Sequence, residues 1–166
     1  MDMKERLLED LKTAMRNKDT MRKDLRLARR ALEDMPDPRS RALGTQLRQA
    51  QEAKRLMIAS HGFWVTSAHL TELPPDLKAD LAKSDLILLK GDVNYRRLLE
   101  DRDWPPTTDL AEVTVYMPAP YVTLRTLKAE LIVGMAPGQA EAIAAEDPEW
   151  LVNGERGGIH HVPGQR

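Results

Sequence analysis

Ser84-Asp85-Leu86-Ile87-Leu88-Leu89-Lys90-Gly91-Asp92-Val93-Asn94-Tyr95-Arg96-Arg97-Leu98 is the stretch on which the fold turns. Four successive apolar residues, Leu86 to Leu89, predict a strand over Asp85–Lys90 covered on both faces, as in a parallel sheet. Gly91 and Asp92 then turn the chain, and Val93–Glu100 is predicted as a helix capped by Asp92. This order places Lys90 at the carboxyl end of a strand, where open α/β sheets bind their ligands. Glycine lets the backbone approach a ligand closely, and helix N–H groups together with Lys90 favour an anion. A routine strand-to-helix turn, with a solvated lysine and a capping aspartate, has the same residue pattern.

Outward from this stretch, strand and helix patterns alternate. Tyr121–Leu127 is predicted as a second strand, after Met117-Pro118-Ala119-Pro120. Leu131-Ile132-Val133-Gly134-Met135 is either its continuation or a further buried strand. A short helix is predicted from Pro137-Gly138-Gln139 to Glu146, and Gly157–Val162 adds a last short strand. Upstream, Leu73-Pro74-Pro75-Asp76 opens a helix to about Lys83, with proline tolerated in its first turn.

The first 60 residues read differently. Met3, Leu7, Leu8, Leu11, Ala14 and Met15 recur at helical spacing, and Met21, Leu25, Ala28 and Leu32 continue a stripe after a cap at Asp19 or Thr20. Met35-Pro36-Asp37-Pro38 ends that helix, because each proline disfavours the helical region for its predecessor. A third helix is predicted over Pro38–Ala59, striped by Leu43, Leu47, Ala50, Lys54 and Met57. The expected architecture is α/β: a partial Rossmann-like sheet with flanking helices over residues 61–166, behind an all-α arm over residues 1–60.

Composition narrows the function classes. The chain has 166 residues, 42% of them hydrophobic, which is enough for a core, and no cysteine. Disulfides, thiolate zinc sites and a cysteine nucleophile are therefore excluded. No apolar run reaches the roughly 18 residues of a membrane span, so no membrane partner is expected. The charged opening is not followed by a secretory leader, so a cytoplasmic protein is the simplest expectation. Residues 1–60 carry 15 Lys and Arg against 10 Asp and Glu, whereas residues 61–166 carry 10 against 16. Such asymmetry suggests two pieces with different jobs.

Arg125 and Lys128 lie near the end of the second strand, where they could clamp a phosphate beside Lys90. The competing reading has both in solvent, or paired with Glu130 and Asp92. His160 and His161, adjacent on a strand, point to opposite faces and cannot share a metal ion. Glycine-rich nucleotide loops are absent. Arg22, Lys23, Arg26, Arg29 and Arg30 form a basic patch that could touch RNA phosphates or simply face solvent.

Several stretches together resemble one family, the metal-dependent damage-control phosphatases (acidic-residue methyltransferase-like, domain of unknown function 89). Ser84–Leu98 is similar to its signature. Asp101-Arg102-Asp103-Trp104, Pro118-Ala119-Pro120 through Leu124-Arg125-Thr126-Leu127-Lys128-Ala129-Glu130, and Val133-Gly134 to Pro137-Gly138-Gln139 follow in the family's order. Phe63-Trp64 and Leu73-Pro74-Pro75-Asp76-Leu77 resemble the approach to that core. The resemblance covers residues 61–166 and implies hydrolysis of small, often damaged, sugar phosphates with manganese, cobalt, nickel or magnesium. It implies that Lys90, Arg125 and Lys128 hold phosphate, with Gly91, Asp92 and Asn94 shaping the pocket.

The family places its metal on an Asp-Asn pair with further acids upstream, and no Asp-Asn dipeptide occurs here. A truncated phosphatase, with its metal-binding half missing or supplied by a partner chain, is the expectation. Self-association through open sheet edges would follow from the same truncation. The first 32 residues also resemble the opening of GatB/YqeY-like helical proteins, and the competing expectation is a non-enzymatic adaptor that binds tRNA or a protein through the basic arm.

Overall fold

A computed structural model describes residues 26–164 of the chain. The stripe Met3–Met15, the cap at Asp19 or Thr20, Met21, Leu25 and the basic residues Arg22 and Lys23 lie outside them. The chain folds as two compact units, one up to Thr66 and one from Ser67 onward.

In the first unit, residues 26–33 are helical (α1) and α2 spans Pro38–Glu52. Asp37 caps α2 by accepting a hydrogen bond from the Ser40 amide (2.9 Å), with Pro38 in the first turn where its missing N–H costs nothing. α2 ends seven residues before the expected boundary at Ala59, through Lys54 in a left-handed conformation (φ 55°). The expected stripe is not the buried one: Leu43 and Met57 are exposed, and Gly44 is the buried residue of α2.

The reason is close approach of the two helices. A Cβ on Gly44 would lie 2.8 Å from Cγ and 2.9 Å from the backbone nitrogen of Glu33, and 3.0 Å from the Arg29 carbonyl oxygen. Helix propensity alone would favour alanine over glycine by about 1 kcal/mol. Forcing a methyl group against backbone costs about 1–3 kcal/mol, so over-packing prevails. Gly44→Ala is therefore expected to lower the thermal midpoint of the helical signal in circular dichroism; an unchanged or raised midpoint would refute the packing argument.

The second unit is built on three strands in the order β1-β2-β3: β1 Ile87–Lys90, β2 Tyr121–Thr126 and β3 Gly157–Val162. β1 and β2 are parallel, with Ile87 opposite Tyr121 and Lys90 opposite Leu124. β3 runs antiparallel to β2, with Thr123 opposite His160. α3 (Pro75–Leu81) precedes β1, while α4 (Asp92–Leu98) and α5 (Leu110–Val113) lie between β1 and β2. α6 (Gln139–Glu146) lies between β2 and β3.

One sheet face is the core. Ile87, Leu89, Tyr121, Thr123 and Arg125 are buried, as are Tyr95 and Leu98 of α4 and the adjacent Leu99. The other face is open, with Leu88 60% and Ile159 75% exposed. The expectation of a β1 strand covered on both sides is thus corrected to an alternating one. Leu131–Val133 is corrected as well. These residues are buried but form no strand, because none of their hydrogen bonds goes to a neighbouring strand: the Val133 amide donates to the Tyr95 hydroxyl, the Leu131 carbonyl accepts from Arg125, and the Leu131 amide donates to the nearby Ala129 carbonyl. No described helix is long and apolar enough to cross a membrane.

Candidate functional site

The carboxyl ends of β1 and β2 meet at a cleft of about 420 Å³ lined by Lys90, Gly91, Leu124, Arg125, Thr126 and the Gly157–Ile159 segment of β3. Lys90 lies on the open side of the sheet because β1 alternates and Leu89 takes the core. Its ammonium has no ion-pair partner among the described residues. The Lys90 carbonyl accepts a hydrogen bond from the Asn94 side-chain amide (2.8 Å), which fixes the strand end to the first turn of α4.

Gly91 has φ 104°, a region that side-chain-bearing residues rarely adopt, and a Cβ there would meet nothing within 4 Å. Its amide is engaged, donating to the Leu124 carbonyl (2.7 Å). Gly91, not Asp92, is the cap of α4; Asp92 is its first residue.

Asp92 turns inward to Arg125. The Arg125 side chain is fully buried, and its Nη2 approaches Asp92 Oδ1 at 2.7 Å. Nη1 donates to the Leu131 carbonyl (2.5 Å), Nη2 lies 3.3 Å from the Ala129 carbonyl, and the guanidinium sits 4.3 Å over the Tyr95 ring. Arg125 Nε and Asp92 Oδ1 have no aligned hydrogen-bond partner, so the pair is a close charge contact rather than a fork. Arg125 thus forms a wall of the cleft while its charge is spent inside the protein. Lys128 stands apart and exposed, its Cε 3.5 Å from where a Cβ on Gly154 would lie. Of the six expected residues, Lys90, Gly91 and Arg125 line the cleft, Asp92 and Asn94 brace it, and Lys128 lies outside its lining.

Sequence reasoning missed the β3 wall and the half-buried His160 behind it. His160 stacks on Tyr95 at 5.8 Å, and its Nδ1 is buried without a hydrogen-bond partner. Burial, and secondly the Arg125 charge, hold its pKa below the ordinary 6.5. The folded state therefore prefers neutral His160, and the unfolded chain takes up the proton first. This contribution is fully present above pH 6.5 and is lost as pH falls through 6.5 toward the folded-state value. Lowering the pH from about 7.5 to about 5.5 should reduce the urea midpoint, and His160→Asn should flatten that dependence. Asp37 and Asp101, both held below the usual carboxylate range by hydrogen bonds from Ser40 and Arg96, lose their contribution only in more acid solution. An unchanged slope in the variant would contradict the assignment.

A divalent cation of the kind the resemblance implies needs several oxygen or imidazole donors at one place. Among the described residues no three His, Asp or Glu side chains converge in this way. Asp92, the acid nearest the cleft, is committed to Arg125. These residues do not fit a metal centre.

Comparison with known proteins gives a consistent picture. The family model described as damage-control phosphatase ARMT1-like domain matches residues 7–143. The match starts ahead of the described residues and stops within α6, before β3. The chain is 43% identical over 108 residues to the rat damage-control phosphatase ARMT1, covering 63% of this chain and 25% of that protein. The mouse protein of the same name is 47% identical over 102 residues, covering 58% and 23%. The zebrafish protein is 37% identical over 118 residues, covering 69% and 26%. The chain spans about a quarter of the length of these curated relatives.

Proposed function

Because the chain belongs to the damage-control phosphatase ARMT1-like family, we propose that it is a phosphate-holding portion of a metal-dependent phosphatase acting on small sugar phosphates. The observation that carries this reading is Lys90: an ammonium unpaired among the described residues, at the carboxyl end of a parallel strand, in a cleft also lined by Gly91 with its φ of 104°. Lys90 neutralises phosphate charge as a point charge. Arg125 and Asp92 position the Gly91 turn from behind, and Asn94 holds the Lys90 backbone. The ligands of a catalytic cation have to come from residues other than those described here, so hydrolysis is a property of a more complete assembly than this unit.

The test is a titration of the chain with inorganic phosphate and a hexose phosphate, followed by amide chemical shifts. Shifts are expected at Lys90, Gly91 and Thr126, with affinity reduced about tenfold in Lys90→Ala, the scale of one lost charge-assisted contact. Absence of binding at low salt, or equal binding by the variant, would sink the reading.

A further inference from the structure

A second cleft, of about 600 Å³, lies against the cluster of Leu127, Ile132 and Trp150, with the partly buried Met135 and Ile143 at its sides. Above this apolar floor stand three polar side chains, Arg156, Gln139 and His160, and no aspartate or glutamate among the described residues lines it. A cleft of this size, mainly apolar with few polar groups, has the ordinary make-up of a small-molecule site. What it takes depends on whether those polar groups donate or accept.

All three donate. The Gln139 side-chain oxygen is occupied, accepting from the Ala136 amide (3.0 Å), so its NH2 is the group left for a ligand. Arg156 can only donate. Its Nε lies 3.5 Å from Asp147 Oδ2, a carboxylate already served by the Glu149 amide (3.1 Å) and the Asn153 side-chain amide (3.0 Å). Nη1 and Nη2 of Arg156 have no partner among the described residues, and the side chain is 39% exposed.

His160 is turned the same way. Its Cδ2–Nε2 edge faces Gly134 in the cleft lining, where a Cβ would lie 3.4 Å from Cδ2 and 3.6 Å from Nε2. On the opposite edge Nδ1 is buried without a hydrogen-bond partner. Burial favours the neutral ring, which carries a single N–H. A buried N–H lacking an acceptor is the rarer fault in folded proteins, so the proton belongs on Nε2, at the cleft.

We infer that this cleft binds a compact carboxylate, its apolar body against Trp150 and Ile132 and its anionic end held by Arg156, Gln139 and His160 Nε2–H. The guanidinium fork matches a carboxylate in two-point contact. One cation and two neutral donors balance a single negative charge, not the double charge of a phosphate monoester. The apolar body removes surface from water on the floor. Lys90 lies on the open face of the sheet and Trp150 on the packed one, with the Arg125–Gly158 pair of the ladder between them. The inference therefore does not rest on the phosphate reading of the first cleft.

The experiment titrates the full chain at low salt with phenylacetate, and in parallel with acetate and 2-phenylethanol, which carry the charge or the body alone. Phenylacetate is expected to shift the Trp150 indole and the Gln139 side-chain amide saturably, leaving the Trp64 and Trp104 indoles in place. It should bind about tenfold tighter than either part. Arg156→Gln should weaken it about tenfold, and Gln139→Glu, which sets a like charge beside the ligand, by a similar factor. Phenylethanol binding as tightly as phenylacetate, undiminished binding by both variants, or a Trp150 signal that never moves overturns the inference. So do shifts confined to Lys90 and Gly91, which would mean that the carboxylate takes the first cleft instead; that outcome leaves the phosphate reading standing.

Discussion

Arg125→Met should lower the unfolding free energy of the α/β unit by about 3 kcal/mol or more, the scale of breaking a buried charge pair from one side. The Arg125 side chain is wholly shielded, whereas Asp92 keeps 17% exposure and can partly rehydrate. The loss therefore falls toward the lower end of the usual range for the carboxylate. To it is added the Leu131 carbonyl, buried and deprived of its donor, together with the cation–π contact to Tyr95. Arg125→Lys should rescue little, because one ammonium cannot reach Asp92 and the Leu131 carbonyl while lying flat on an aromatic ring. Urea unfolding followed by tryptophan fluorescence checks both variants: a lowered midpoint with an unchanged slope is expected. A loss below about 1 kcal/mol, the range of an exposed salt bridge, would show that the pair is solvated in practice.

Trp150→Ala is the other substitution with a large expected cost, about 3–5 kcal/mol for truncating a buried tryptophan. Trp150 is only 4% exposed and closes a small cluster with Leu127 and Ile132, where Ala140, Ile143 and Leu151 also pack. Leu127 follows β2 directly and its amide bonds the Arg156 carbonyl, just before β3. Losing the indole should therefore loosen the start of β3 along with α6. Hydrogen exchange at Leu127 and Gly158, which pairs with Arg125 in the ladder, is the readout: protection there should fall by more than at Leu89, in the strand at the opposite edge of the sheet. Uniform loss of protection would mean that the cluster is not a separate local unit.

The strands were legible because their signals are local. Tyr121–Thr126 alternates, Gly157–Val162 is bounded by turn residues, and Leu86–Lys90 is a continuous apolar run. That run misled on burial: Leu88 is as apolar as Leu89, and only the third dimension distinguishes the open face from the covered one. Leu131–Val133 misled in type, since an apolar run satisfied by the Arg125 guanidinium and the Tyr95 hydroxyl cannot be told from a strand by periodicity. At the site, the Lys90-Gly91 turn was readable from strand-end logic. For Arg125 the sequence left two readings open, a phosphate clamp or a pairing that included Asp92, and the structure shows the Asp92 pair. An arginine near a strand end has the same spelling whether it faces a ligand or an aspartate behind the sheet, and the alternation from Tyr121 through Thr123 puts it on the buried side. Lys128, three residues on, falls after the strand has ended.

The open sheet face has a practical consequence for spectroscopy. Leu88 and Ile159 offer the intact protein a hydrophobic surface to which fluorescent naphthalene dyes can adsorb. Dye emission, the usual diagnostic of a molten globule, would then arise from a protein whose side chains are fully packed on the opposite face. For this chain the state of folding has to be judged from near-ultraviolet dichroism of Tyr95, Tyr121 and Trp150, all buried on the packed side, where loss of signal does report loss of order.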